Sequence, residues 1–138
     1  RLKTDQSQFF SVMTMQNHSP WKEEEPNNIE ASNSNFSSDE NDQLTNYTRL
    51  LYHTDVATKD FLDQLSKINK KITVVFYGDH LPGLYPQSAF KNNPDSQYLT
   101  DYFVWSNYET PKLDYPIVNS SDFTALLLEQ TNSKVSLY

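Results

Sequence analysis

The chain has 138 residues, which is enough for one domain and too few for two. Its formal net charge of -7 argues against nucleic acid as a partner, because no basic stripe is present to neutralise phosphates. The sequence contains no cysteine, so disulfides and thiolate metal sites are excluded, and no apolar run approaches the ~20 residues of a membrane-spanning helix. The opening at Arg1 without an initiator Met and the apolar end at residues 135–138 lead us to expect a piece of a longer protein.

The first predicted element is a strand over residues 8–15, which mix apolar, aromatic and β-branched side chains. Pro20 cannot donate to a strand ladder and disfavours helix before it, so the strand should stop near Asn17. His18 then follows the end of this strand. Taken alone, His18 is more simply interpreted as a surface histidine in a turn.

Residues 22–41 form a polar segment rich in Asn, Ser, Glu and Asp, with almost nothing apolar to bury. Such a segment cannot offset the entropy lost on ordering, so the sequence predicts a mobile loop here. Structureless loops of this length inside a domain are usually disordered or act as a lid.

A long amphipathic helix is predicted over residues 42–68, where apolar side chains recur at steps of three and four. Either Asp39 or Asn41 could cap its start. Three side chains near its middle are better interpreted as boundary or solvated positions than as site residues: Tyr52, His53 and Asp55.

The apolar and β-branched run at residues 72–77 is typical of a buried strand in a parallel sheet. Gly78 should let the chain turn sharply at the strand end, which leaves Asp79 and His80 at the carboxyl edge of the sheet. A carboxylate beside an imidazole suits a divalent metal. The pair is equally compatible with a turn in which the Asp caps backbone amides and the His faces water.

The remaining predicted elements are an irregular loop, a strand and a short helix. Prolines and a glycine indicate the loop at residues 81–86, and aromatic and β-branched side chains predict a strand over residues 99–106. A last helix should run from Asp122 to about Thr131, with Ser120 or Ser121 as its cap. Its buried side is predicted to comprise Phe123, Ala125, Leu126 and Leu127.

A strand, a long helix and a second strand in this order predict a βαβ unit with parallel pairing. The carboxyl ends of parallel neighbours share one edge of a sheet, so His18 should open into the same crevice as Asp79 and His80. This convergence is a stronger indication of a site than either motif alone.

Four segments together resemble the catalytic domain of the lipoteichoic acid synthases and related phosphoglycerol transferases, in the sulfatase-like branch of the alkaline phosphatase superfamily. They are residues 13–21, residues 52–57 leading into Phe61 and Leu62, residues 76–80, and residues 102–107. The resemblance covers most of the chain outside the polar segment. It implies an α/β fold, namely the C-terminal portion of an alkaline-phosphatase-like three-layer domain with a mainly parallel sheet, covering residues 1–138.

The resemblance also implies roles for three residues. Asp79 and His80 match the pair that binds one catalytic divalent cation, Mn²⁺ or Mg²⁺, and His18 matches a histidine that contacts the phosphoglycerol group and assists the reacting oxygen. The threonine nucleophile and the metal-binding glutamate of the family precede this segment, so the isolated chain is expected to be inactive. Three threonines are not candidates for that nucleophile: Thr14, Thr54 and Thr73.

The resemblance thus implies a parent enzyme that moves glycerol phosphate from a phosphatidylglycerol-type lipid to a glycerolphosphate polymer or glycan. Such an enzyme would lie on the extracellular face of the bacterial membrane, anchored by a segment outside this chain. Two alternatives remain open: a sulfatase or phosphodiesterase with water as acceptor, and a non-catalytic binding domain. If part of the sheet lies outside the chain, an exposed strand edge should also favour self-association.

Overall fold

The computed structural model describes residues 6–134. Its regular elements are the helix α1 (Ser38–Ser66), the strands β1 (Thr73–Tyr77) and β2 (Tyr102–Ser106), and the helix α2 (Phe123–Gln130). Short 3₁₀ turns lie at Gln87–Phe90, Pro94–Tyr98 and Ser120–Asp122. The chain divides into two compact units, one ending at Asp55 and the other starting at Val56.

In the first unit, residues 7–15 have no regular secondary structure, so the predicted strand over residues 8–15 is wrong. Phe9, Val12 and Met13 are each about four-fifths exposed. A strand forms only where a neighbour accepts and donates its backbone hydrogen bonds, and β-branched content cannot substitute for that neighbour. The parallel βαβ unit predicted from this strand is therefore not observed in the described residues.

The helix α1 begins four residues earlier than predicted because Ser37 and Glu40 form a capping box. The Glu40 backbone N–H donates to Ser37 Oγ at 3.3 Å, and the Ser37 N–H donates to Glu40 Oε2 at 2.7 Å. The predicted caps, Asp39 and Asn41, are incorrect. Asn41 instead accepts the Asn33 N–H and donates its Nδ2 to nearby carbonyls, which shapes the turn before the helix.

The polar segment before α1 follows a path fixed by hydrogen bonds to α1. The buried Arg49 donates from Nε to the Ile29 carbonyl at 2.9 Å and from Nη1 to the Glu24 carbonyl at 2.8 Å. Thr45 exchanges two hydrogen bonds with the Ala31 backbone. The mobility of residues 22–41 stays a prediction, because it concerns dynamics. The last part of this range is not a loop, since the chain is helical from Ser38 onward.

In the second unit, β1 and β2 pair antiparallel, with Val75 opposite Val104 and Phe76 opposite Phe103. This corrects the expected parallel sheet: the sheet of the described residues has two strands. The expected full burial of β1 is also wrong, because Phe76 is 38% and Tyr77 is 51% exposed. The strand over residues 99–106 exists and is shorter than predicted.

The helix α2 packs against one face of this sheet. The Phe123 ring lies 4.5 Å from that of Tyr77 between centroids, and Leu126 is buried. Ser120 and Ser121 belong to the preceding 3₁₀ turn, so neither is the predicted cap. Ala125 was predicted on the buried side of this helix and is exposed instead. Gln130, at the end of the helix, is buried although it was not predicted to be.

The connection before α2 is held to the sheet and to the helix by tyrosines. The Tyr102 hydroxyl donates to the Tyr115 carbonyl, and the Tyr115 hydroxyl donates to the Glu129 carboxylate at 3.0 Å. Because this hydrogen bond and the nearby negative charge both favour the neutral phenol, the pKa of Tyr115 is raised above its usual value.

Candidate functional site

Gly78 lies between β1 and Asp79, at a point where its backbone closely approaches the Thr100 side chain. Its φ is not positive, so the sharp turn predicted for it is not the reason for a glycine here. A Cβ at this position would lie 3.2 Å from the Cβ of Thr100. The Thr100 hydroxyl donates to the Gly78 carbonyl at 2.6 Å, and the Gly78 N–H donates to the Asp101 carbonyl at 3.2 Å. These contacts fix the backbone immediately before Asp79.

Asp79 and His80 lie just beyond β1, as predicted, with side chains that are 72% and 70% exposed. The His80 N–H donates to Asp79 Oδ1 at 3.0 Å, which is the amide-capping contact of the structural alternative. The other carboxylate oxygen, Oδ2, lies 3.7 Å from His80 Nε2. One oxygen of Asp79 therefore fixes the turn while the other faces the imidazole.

The imidazole of His80 has a defined tautomer. Its Nδ1 lies 2.8 Å from the carbonyl oxygen of Leu81, and a carbonyl can only accept. Nδ1 therefore carries the proton in the neutral ring, and Nε2 presents its lone pair beside Asp79 Oδ2. Metal-binding histidines are commonly oriented by such a hydrogen bond from the other ring nitrogen.

These two side chains fit a divalent cation. Two donor atoms that each bind one ion at about 2.1 Å can be at most ~4.2 Å apart, and the observed 3.7 Å lies within that limit. A carboxylate oxygen with an imidazole nitrogen suits the divalent metals that Asp and His bind in proteins. Among residues 6–134, no group of three or more His, Cys, Asp or Glu side chains is arranged around one metal position.

His18 has the same tautomer as His80. Its exposed ring places Nδ1 2.8 Å from the Ser19 carbonyl, so Nε2 carries the free lone pair. The His18 N–H donates to the Met15 carbonyl at 3.1 Å, which closes a turn. Neutral His18 can accept a proton at Nε2, as general base catalysis requires.

Sequence reasoning missed the residues that hold the His18 turn. The Thr54 hydroxyl donates to Asn17 Oδ1 at 2.9 Å, and Trp21 Nε1 donates to the Asn17 carbonyl at 3.1 Å. All three residues lie in the segments that carry the family resemblance, residues 13–21 and 52–57. The position of these residues in the two segments was the signal by which the sequence could have identified them.

The structure supports a structural interpretation of the residues in the middle of α1. His53 Nε2 lies 2.7 Å from the Glu25 carbonyl, so this ring holds the polar segment and has the opposite tautomer to His18 and His80. Tyr52 packs edge-on against His53, and Asp55 is exposed.

The threonines set aside as nucleophile candidates differ in their surroundings. The Thr73 hydroxyl lies 2.9 Å from both Ser106 Oγ and the Tyr108 hydroxyl within the second unit. Thr54 belongs to the His18 turn described above. His18 lies in the first unit and Asp79–His80 in the second, so their predicted convergence in one crevice stays a prediction.

No helix within residues 6–134 is both long and apolar enough to cross a membrane.

Comparison with known proteins identifies a phosphoglycerol transferase and a capsular polysaccharide biosynthesis protein as relatives. The chain is 60% identical to the phosphoglycerol transferase GacH of Streptococcus pyogenes, solved in complex with sn-glycerol-1-phosphate, with a TM-score of 0.90 over 94% of this chain and 34% of GacH. It is also 35% identical over 108 residues to the capsular polysaccharide biosynthesis protein RkpI of Rhizobium meliloti (strain 1021), covering 75% of this chain. The chain spans 16% of the length of RkpI, so it matches a part of each relative.

These likenesses confirm an α/β fold that matches a portion of an alkaline-phosphatase-like domain, here with a small antiparallel sheet. Enzymes of this superfamily are generally metal-dependent, which agrees with the donor set of Asp79 and His80. The sulfatase family model matches residues 2–133, which is nearly the whole chain. The chain therefore belongs to the sulfatase family.

Proposed function

We propose that this chain is the C-terminal part of a metal-dependent phosphoglycerol transferase. The enzyme moves glycerol phosphate from a phosphatidylglycerol-type lipid to a cell-envelope polymer or glycan. The likeness to GacH carries the proposal, because 60% identity extends over 94% of the chain and the solved relative holds sn-glycerol-1-phosphate. Localisation at the extracellular face of the bacterial membrane, through an anchor outside this chain, is part of the same proposal.

In this proposal, Asp79 and His80 hold one divalent cation, Mn²⁺ or Mg²⁺, through Oδ2 and Nε2. A bound cation offsets negative charge on phosphoryl oxygens and lowers the pKa of a coordinated hydroxyl. The Leu81 carbonyl keeps the proton of His80 on Nδ1, and the His80 N–H orients the Asp79 carboxylate. Both contacts orient the two side chains in the absence of a bound ion.

His18 contacts the phosphoglycerol group and exchanges a proton with the attacking or leaving oxygen at Nε2. The Ser19 carbonyl supports this role by holding the other ring proton on Nδ1. A threonine nucleophile and a glutamate ligand come from segments outside this chain. Covalent catalysis would divide the transfer into two steps, with a second alcohol as the final acceptor.

Membership of the sulfatase family favours one second candidate, a phosphodiesterase or sulfatase that uses the same residues with water as acceptor. The two reactions differ in their product. A transferase yields an acceptor extended by glycerol phosphate, whereas a hydrolase releases free glycerol phosphate or sulfate.

The test uses the full-length protein that carries this chain, reconstituted with phosphatidylglycerol vesicles, Mn²⁺ and a purified envelope glycan. We expect glycerol phosphate on the glycan, and its loss in three single variants: His18→Ala, Asp79→Asn and His80→Ala. Calorimetry should show weaker Mn²⁺ binding in the Asp79 and His80 variants and unchanged binding in His18→Ala. Asp95→Asn removes an exposed carboxylate from a 3₁₀ turn and serves as the control.

Three results would contradict the proposal in different ways. Release of free glycerol phosphate without modified glycan would indicate the hydrolase. Full activity in the His18 variant would remove the role of that residue. Absence of any turnover, with equal Mn²⁺ binding by Asp79→Asn and the wild type, would leave a non-catalytic binding domain.

A further inference from the structure

We infer that Thr54 is a positioning residue for His18 and that it acts through Asn17, an inference that rests on the proposed function of His18. Thr54 lies on α1, and its hydroxyl donates to Asn17 Oδ1 at 2.9 Å across a separation of 37 residues. Asn17 is the residue immediately before His18. The hydroxyl of Thr54 thus holds the turn that carries the imidazole.

Asn17 is held from two sides. Its side-chain oxygen accepts from Thr54, and its backbone carbonyl accepts from Trp21 Nε1 at 3.1 Å. The Trp21 ring packs edge-on against Tyr47 of α1, with ring centroids 5.8 Å apart. Asn17, just before His18, and Trp21, just after Pro20, are therefore both held by contacts with α1.

His18 needs this support because packing does not hold its ring. The side chain is exposed, and its Nδ1 contacts the Ser19 carbonyl, while the backbone N–H of His18 donates to the Met15 carbonyl. Because the ring is exposed, its position depends mainly on the position of the backbone of His18. A displacement of about 1 Å can cost on the order of a hundredfold in rate, so the link to Thr54 bears directly on proton transfer at Nε2.

A second threonine on α1 separates this role from ordinary helix stabilisation. The Thr48 hydroxyl donates to the Leu44 carbonyl at 2.8 Å, one turn back in its own helix. Thr48 and Thr54 are both half-buried, and both are β-branched residues within α1. Only the hydroxyl of Thr54 reaches the His18 turn.

The test measures kcat/KM for phosphoglycerol transfer by the full-length protein and by three variants. Thr54→Val keeps the side-chain shape and removes the hydroxyl, and we expect kcat/KM to fall about tenfold or more, as for other supporting hydrogen bonds of a site. Thr54→Ser restores the hydroxyl and should stay within about twofold of the wild type on the same scale. Thr48→Val is the matched control and should retain wild-type kcat/KM.

Two further measurements exclude a purely structural effect. Thermal unfolding should show that Thr54→Val and Thr48→Val both remain folded at the assay temperature, so that a difference in kcat/KM between them does not come from unfolding. Calorimetric Mn²⁺ binding should be the same in Thr54→Val as in the wild type, because the inferred link concerns His18 and not Asp79 or His80.

The inference and the proposed function can fail separately. Wild-type kcat/KM in Thr54→Val, together with an inactive His18→Ala, would overturn the inference alone. The inference also fails if Thr54→Ser is as impaired as Thr54→Val, or if Thr48→Val is equally impaired. An active His18→Ala would instead overturn the role proposed for His18, and the inference with it.

Discussion

The two glycines of this chain have different surroundings, although neither has a positive φ. A Cβ on Gly78 would approach Thr100 Cβ to 3.2 Å, which is closer than side chains normally pack, whereas a Cβ on Gly83 meets nothing within 4 Å. Gly78 is therefore required by close approach between two segments, and Gly83 is not.

We expect Gly78→Ala to destabilise the second unit by about 1–3 kcal/mol, because Thr100 must move and its hydrogen bond to the Gly78 carbonyl weakens. Gly83→Ala is the control and should be neutral or stabilising by about 0.4–1 kcal/mol, since alanine restricts the unfolded chain. Urea unfolding of both variants measures the difference. Equal stability of the two variants would mean that the contact with Thr100 relaxes freely.

The site residues show how far single-residue reasoning extends. The position of Asp79 and His80 just after a strand follows from the apolar run and is predictable from it. The requirement for glycine at position 78 is not predictable in this way, because it depends on the close approach of Thr100, 22 residues away. The tautomers of the histidines also depend on which carbonyl each ring meets, and sequence does not give that geometry.

At the scale of elements, Arg49 determines the path of the segment before α1. Its guanidinium is buried and donates to three backbone carbonyls, those of Glu24, Asn27 and Ile29, and to Asn27 Oδ1, with no carboxylate among these partners. Hydrogen bonds from a charged donor are worth ~1.5–3 kcal/mol each. The segment has few apolar side chains to bury, so these hydrogen bonds contribute much of what holds it in place.

We expect Arg49→Ala to release this segment, so that a glutamate-specific protease cleaves after Glu24 or Glu30 at least about tenfold faster than in the wild type. Lys59→Ala removes an exposed cation from the same helix and should leave the cleavage rate unchanged. Equally fast cleavage of the wild type and the Arg49 variant would instead support the mobile loop that composition predicts.

Elements were predictable where the signal is local. The long helix, β1 and β2 appear at the expected places because their periodicity and composition lie within each segment. Strand pairing is not local: residues 8–15 have strand composition without a partner, and β1 pairs with β2 rather than across a βαβ crossover. The capping box at Ser37 and Glu40 has a recognisable sequence pattern, and the polar composition around it obscured that pattern.

At the scale of the whole molecule, two partly exposed phenylalanine rings lie on one face of the sheet. Tyr77 and Tyr102 contact Phe123 of α2, so the alternation of side chains places Phe76 and Phe103 on the opposite face. These two rings stack at 5.0 Å and are 38% and 36% exposed. Exposed apolar faces of this kind mark contact surfaces or sites of association.

We expect the isolated chain to self-associate through this face, so that its mass in light scattering rises above 16.1 kDa with concentration. The double variant Phe76→Thr/Phe103→Thr introduces threonine, which has a high strand propensity, in both strands and should remain near the monomer mass. Tyr98→Thr/Ile117→Thr is the matched control, because it removes two more exposed apolar side chains, 79% and 75% exposed, outside the sheet. If both double variants lower the mass equally, association is nonspecific; a wild-type monomer at every concentration contradicts the prediction outright.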